Sequence, residues 1–292
     1  MGPGVYGVSV MLIRGIIIRT VRRWFLISAL LVWLVPMPAR AAGAKETQRP
    51  WFLHLNGIGG ERVCDHTLLS GLTAGGFDAD FHIYDWTEGE TGIVALQRHD
   101  THPIEARKVA DLIIQQFAAS PGTPIYATGH SGGAAILTWA LELLPDEIKV
   151  ESVCMFAPAL SPQYDMTKAL KHVKGKLYVF SSPHDFVVLS TGTKMFGTMD
   201  GVRGDAAGLR GFVEPKSADD EQYKKIVPQP YQRSWALKYG NVGSHICGLR
   251  TRFARDYVAK LLLTASHRRM TMRPPLRRLG RSRPKRRCNN CV

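Results

Sequence analysis

Five residues, Gly129-His-Ser-Gly-Gly133, carry the clearest chemical signal in the chain. They match G-x-S-x-G and stand between a β-rich run, Pro124-Ile-Tyr-Ala-Thr128, and a helix-favouring run over 133–144. A serine on a sharp strand-to-helix turn is presented at the carboxyl end of its strand, and the flanking glycines relieve crowding where the chain reverses. Its hydroxyl becomes a useful nucleophile only when a base takes the proton. A histidine held by a carboxylate is the usual base, and the reaction such a set performs is attack on a carbonyl carbon. The plainer reading of Ser131 is a helix N-cap.

Candidates for the other parts follow from position. The β run 176–181 leads into Ser182-Pro-His-Asp185, which delivers a carboxylate just past a strand end. Asp200 and Asp205 are alternatives that no recognisable strand delivers. Of the ten histidines, His245 and His267 follow Asp185. His245 lies in the Gly-containing loop Asn241-Val-Gly-Ser-His, just before the helix expected over 252–263, whereas His267 opens a basic tail. His54, His130 and His184 read as structural or supporting residues. A tetrahedral oxyanion needs two N–H donors. Gly132 is placed to supply one, and the turn Asn56-Gly57-Ile58-Gly59-Gly60 the other, through Ile58; the plainer reading of that segment is a Gly-rich turn.

These residues must be positioned by regular elements. Strand-like runs occur at 51–56, 81–84, 124–128, 150–156 and 176–181. Helical spacing of apolar residues occurs over 104–119, 133–144, 164–173 and 252–263. Strands separated by helices imply βαβ units and a mostly parallel sheet. Residues 191 to about 230 lack a sustained period; they read as a cap over the substrate or as a surface excursion. Ile58, Phe186, Val187 and Phe196 near the expected site point to an apolar acyl group.

The 292 residues carry 38 Lys and Arg against 24 Asp and Glu, a formal charge of +14. The excess sits at the ends: five arginines before residue 45 and ten basic residues over 268–287, with no acid in either segment. The body between them has a charge of −1, which argues against a phosphate-binding surface and specific nucleic-acid recognition. Cys64, Cys154 and Cys247 are scattered singly and read as free thiols rather than a disulfide framework. Cys288-Asn-Asn-Cys291 has the spacing of half a zinc site without a second half, so no metal site is expected.

Arg19, Arg22 and Arg23 precede the apolar run Trp24–Val35, and Ala39-Arg-Ala-Ala-Gly-Ala44 follows. This order describes a signal peptide over 1–44, cleaved after Ala41 or Ala44, with Met11 as an alternative start. Arg22-Arg23 resembles a twin-arginine signal. If uncleaved, residues 24–35 would anchor the chain to a membrane. The expected domains are therefore 1–44, 45–267 and a basic tail, 268–292, which could dock on an anionic surface.

Residues 50–265 resemble the α/β-hydrolase superfamily, in particular its lipase- and esterase-like members. The resemblance rests on Gly129-His-Ser-Gly-Gly133, Ser-Pro-His-Asp185 and Gly-Ser-His245 in that order, with the Gly-rich turn after the first strand. It implies an α/β fold with a parallel sheet flanked by helices, a nucleophile Ser131, an acid Asp185 and a base His245 in the chain order Ser, acid, His. It also implies an acyl-enzyme reaction on a small-molecule or lipid ester, with neither metal nor organic cofactor. Asn56 departs from the family where many members have histidine. The separation of 60 residues from Asp185 to His245 is long and implies an insertion there. The alternatives are a peptidase, amidase or thioesterase of the same fold, and an exported binding protein held to an anionic surface by its tail.

Overall fold

Short apolar runs rich in β-branched and aromatic residues pair here as six parallel strands in one sheet. These are β1 (Trp51–Leu55), β2 (Asp80–Tyr84), β3 (Ile125–His130), β4 (Ser152–Phe156), β5 (Leu177–Ser181) and β6 (Ile226–Pro230). Their order across the sheet is β2-β1-β3-β4-β5-β6. The computed structural model describes residues 49–185, 197–216 and 219–264. The chain divides into two units, Met1–Gln48 and Arg49–Val292, and every described residue belongs to the second. The expected signal segment 1–44, the tail 268–292 and both boundaries of the expected domain lie outside the described residues. So do Phe186, Val187, Phe196, His267, Cys288 and Cys291.

Helices cover both faces. They are α1 (Val63–Ala74), α2 (Ile93–Gln97), α3 (His102–Ala119), α4 (Gly132–Glu142), α5 (Thr167–Lys171), α6 (Ala207–Arg210), α7 (Asp220–Tyr223), α8 (Ser234–Tyr239) and α9 (Thr251–Phe253), which continues through a π turn to residue 264. Strand side chains alternate between the two layers, as a period of two demands. Leu53, Leu55, Ala127, Val153, Met155 and Val179 pack with α3, α4 and α5. Phe52, Tyr126, Cys154, Phe156 and Phe180 pack with α1, α8 and the C-terminal helix. Each fully buried Leu or Phe contributes about 1.5–3 kcal/mol, so this two-sided burial is what holds the sheet. Cys64, Cys154 and Cys247 are free thiols, the last two buried. Among the described residues no helix is long and apolar enough to cross a membrane.

Six elements, α1, α2, α6, α7, α8 and β6, have no counterpart in the sequence expectations, and two of them have a clear physical reason. α1 carries no helical signal, because its run Cys64-Asp-His-Thr67 is polar and Gly71 interrupts it. Gly71 is there because the C-terminal helix crosses at that point: a Cβ would lie 2.5 Å from the Thr251 carbonyl oxygen. β6 occupies the end of the segment expected to be a cap or excursion, so that segment is shorter than 191–230 and contributes to the sheet. Prolines obscure β6, because they cannot donate to a ladder. Here nothing is lost. Leu177 N–H donates to Lys225 O and Tyr231 N–H to Ser181 O, so alternate residues face β5 and Pro228 and Pro230 face away from it.

The chain leaves β1 to build β2 on one side, then returns to build β3 on the other. The loops leaving the carboxyl ends of β1 and β3 therefore diverge. In open α/β sheets this is the place where ligands bind.

Candidate active site

Ser131 occupies the turn between β3 and α4, with φ +54° and ψ −117°. A side chain in this region is strained, and such strain persists where surrounding structure over-determines it. The surroundings are visible at the flanking glycines. A Cβ on Gly129 would stand 2.6 Å from Ala134 Cα, and one on Gly133 would stand 2.2 Å from Asn56 O. The backbone is fixed by Ser131 N–H donating to Phe156 O and by Ala159 N–H donating to Ser131 O. Ser131 thus sits on a strained strand-to-helix turn, and its side chain makes no N-cap hydrogen bond.

Asp185 ends a tight turn after β5, in which its N–H donates to Ser182 O. His245 arrives on the loop after α8, where Asn241 Oδ1 accepts from Gly243 N–H at 2.9 Å. Gly243 presses so close to the acid's loop that a Cβ would lie 2.6 Å from Ser182 Oγ. The two side chains meet there: His245 Nδ1–H donates to Asp185 Oδ2 at 2.6 Å. Asp185 is 4% exposed and His245 17%. Because Nδ1 carries the proton to the carboxylate, Nε2 is the lone-pair nitrogen and can accept one.

His130 joins this pair to the elbow. Its ring centroid lies 4.8 Å from that of His245, and its Nε2 is 3.1 Å from the His245 carbonyl oxygen. A carbonyl only accepts, so Nε2 bears the hydrogen. Burial, then the positive charge that His245 can carry, pushes His130 down to about 3. It stays neutral and holds the His245 backbone. The sequence marks His130 only as a neighbour of Ser131.

The turn after β1 abuts the elbow. A Cβ on Gly57 would lie 3.3 Å from Ser131 Cβ, and one on Gly132 would lie 2.8 Å from Ile58 Cγ2. Neither the Ile58 nor the Gly132 N–H donates to another described residue. Asp85 pins this turn, accepting from Asn56 Nδ2 at 3.1 Å and from Glu61 N–H at 3.1 Å, besides Thr87 N–H and Oγ1. Burial raises the Asp85 carboxyl, but these bonds prevail and hold it below its usual value. Trp86 Nε1–H donates to Asn56 O at 2.8 Å. Asn56 therefore stands where its amide ties the turn to Asp85, and its Oδ1 is buried without a partner among the described residues. Asp85 and Trp86 carry no sequence signal beyond following a strand.

The other candidates lie elsewhere in the bonding scheme. Asp200 accepts from Ser161 N–H, Ser161 Oγ and Thr198 Oγ1, and Asp205 accepts from Arg210. His184 is packed edge-on against Tyr231. His54 is sealed in the α1 layer between Asp65 and Thr128. Among the described residues no cluster of His, Cys, Asp or Glu could hold a metal ion.

No protein-family model matches the chain, and no curated protein matches it. Solved structures similar to it include acyl-protein thioesterase 2 of Zea mays, 14% identical with a TM-score of 0.44, over 76% of this chain and 96% of that one. Others are a CIB-like hydrolase of Thermoplasma acidophilum (13% identical, TM-score 0.43, over 76% and 89%) and Est1E of Butyrivibrio proteoclasticus (10% identical, TM-score 0.41, over 76% and 90%). The chain's own sheet order, its strained strand-to-helix elbow and the loops gathered at the switch point are those of the α/β-hydrolase fold.

Proposed function

We propose that the chain is a serine hydrolase that cleaves a carboxylic ester through an acyl-enzyme, with Ser131, His245 and Asp185 as its triad. The observation that carries the reading is the strained Ser131 at the elbow, together with a histidine, linked to that elbow through His130, that a buried carboxylate holds by Nδ1. His245 Nε2 takes the Ser131 Oγ proton as Oγ attacks the ester carbonyl. The oxyanion accepts from the Gly132 and Ile58 N–H groups, whose hydrogens have no other described acceptor. Asp185 stabilises the imidazolium, which then gives its proton to the departing alcohol. Water, deprotonated by the same nitrogen, attacks the acyl-enzyme and frees the acid and Ser131. An oxyanion donor of this kind is worth ~10²–10³ in kcat.

The test is labelling of the purified chain with a fluorophosphonate. Wild type should label, Ser131→Ala should not, and His245→Ala should label far more slowly. A folded wild type that does not label would remove the reading and leave the binding-protein alternative.

Export belongs to the same proposal and rests on the order of Arg19, Arg22, Arg23, the apolar run and the Ala-rich site before residue 45. The basic tail 268–292 supports retention at an anionic surface. Amino-terminal sequencing of the exported chain should begin after Ala41 or Ala44.

A further inference from the structure

The cleft beside Asp185 and His245 is small, about 30 Å³. A much larger cavity, about 760 Å³, lies between the start of α3, the outer side of α4 and residues 199–201. That volume lies within the range of small-ligand pockets, ~300–1,000 Å³, and the cavity is open to solvent on one side, where Leu143 is exposed. His102, Pro103, Trp139, Leu143 and Met199 supply much of its wall. α4 rises ~1.5 Å per residue, so Trp139, Glu142 and Leu143 line the cavity along about one turn that begins about two turns beyond the elbow.

Met199 is where the cavity meets the catalytic turn. It lines the cavity, is 1% exposed, and its Sδ would lie 3.4 Å from a Cβ on Gly132. Trp86 stands beside it, its Cζ2 at 2.8 Å from the same point. Met199 is therefore the cavity-lining side chain that also packs against Gly132, beside Trp86 and Ile58. The backbone of Met199 is fixed: its N–H donates to Ala159 O, and the next residue, Asp200, is tied to Ser161 and Thr198. Its side chain is unbranched with three rotatable bonds, the kind that repacks at small cost.

The wall is suited to an apolar guest. Trp86 meets His102 edge-on at 5.7 Å, and His102 stacks on Trp139 at 5.9 Å. His102 Nε2–H donates to Ala95 O, and burial holds the ring below its usual value, so this aromatic wall is uncharged. The charged side chains of Arg107, Glu142 and Lys168 also line the cavity. Glu142 accepts from Tyr164 OH, and burial keeps its carboxyl above the usual range.

We propose that this cavity receives an extended apolar chain of the ester, and that Met199 sets how far the chain passes the oxyanion turn. The proposal rests on the Ser131 reading and adds the substrate class, a long-chain ester.

The experiment measures kcat/KM of the purified chain on para-nitrophenyl acetate, octanoate and laurate, and on dodecyl acetate. Buried methylenes each contribute up to ~4-fold, so laurate should exceed acetate in wild type. Met199→Trp, which plugs the entry, and Leu143→Trp, which shortens the far end, should each lower the laurate-to-acetate ratio by 10-fold or more. Met199→Leu should keep most of it, which separates plugging from misfolding. A preference for laurate places the chain on the acyl side, and one for dodecyl acetate on the alcohol side. Lauric acid binding, followed by calorimetry, should weaken in both Trp variants, and this readout needs no turnover. A wild type that cleaves acetate but has a chain-length ratio unmoved by either Trp substitution overturns the cavity assignment and leaves Ser131 in place. A wild type that neither labels with fluorophosphonate nor cleaves any ester overturns both.

Discussion

Two histidines in this molecule are held in nearly the same way and have opposite prospects. His245 Nδ1 donates to Asp185 at 2.6 Å, and His54 Nε2 lies 2.8 Å from Asp65 Oδ1. Thr128 Oγ1 is 2.7 Å from His54 Nδ1, and His130, the residue before Ser131, has its ring 4.8 Å from that of His245. The His54 pair is sealed, with side chains 0% and 2% exposed, and both ring nitrogens are occupied. His245 keeps 17% of its side chain exposed and one nitrogen uncommitted by its carboxylate. A histidine, a carboxylate and a hydroxyl in mutual reach, as at His54, do not make a catalyst; the difference lies in whether a third molecule can arrive.

That contrast predicts how equal substitutions divide. Asp185→Asn should lower kcat on a para-nitrophenyl ester by ~10⁴-fold, because His245 loses its tautomer and its counter-charge. Asp65→Asn should leave kcat of the folded protein within ~3-fold, yet cost ~1.5–3 kcal/mol in urea unfolding, the value of a hydrogen bond to a charged group. Equal losses of kcat in the two variants would erase the distinction.

His130 stands between the two pairs and sharpens the comparison through pH. The unfolded chain protonates this histidine near 6.5, whereas the folded chain resists until about 3. Unfolded protein therefore binds the extra proton between these values. Stability conferred by neutral His130 is complete above pH ~6.5 and falls as pH drops, by ~1.4 kcal/mol per pH unit at most. Urea midpoints from pH 7 to pH 4 should fall less steeply for His130→Phe than for wild type.

The smallest effect concerns positioning. His130→Leu removes the donor to the His245 carbonyl and should lower kcat ~10-fold, about 1.4 kcal/mol in the barrier. His130→Gln, which still offers an N–H, should recover part of this. The acid limb of the kcat/KM profile should shift in the Leu variant and return toward wild type in the Gln variant. A purely structural role would change protein yield and leave the limb in place.

What the sequence made legible follows from which signals are local. Ser131 was readable because an elbow demands glycines on either side of the serine between a strand and a helix, all within a few residues. Five strands were readable because their apolar runs are continuous. β6 was hidden because Pro228 and Pro230 are disfavoured in a strand unless they face away from the ladder, and only the paired structure reveals which way they face. Asp85 and Trp86 escaped notice for a related reason. Their importance lies in reaching back to Asn56, about thirty residues earlier, and no periodicity encodes such a contact. Met199 was invisible in the same way, being adjacent to Gly132 only in space.

The outward prolines of β6 have a consequence of their own. A sheet border normally offers alternating donors and acceptors, an invitation for another chain to add a strand and propagate. On this border two successive outward positions have no amide hydrogen at all. An incoming strand would find carbonyls without the reciprocal donors, and its own carbonyls would be dehydrated to no gain. The prolines thus work as gatekeepers against edge-to-edge aggregation, and they do so without a charged residue on the strand.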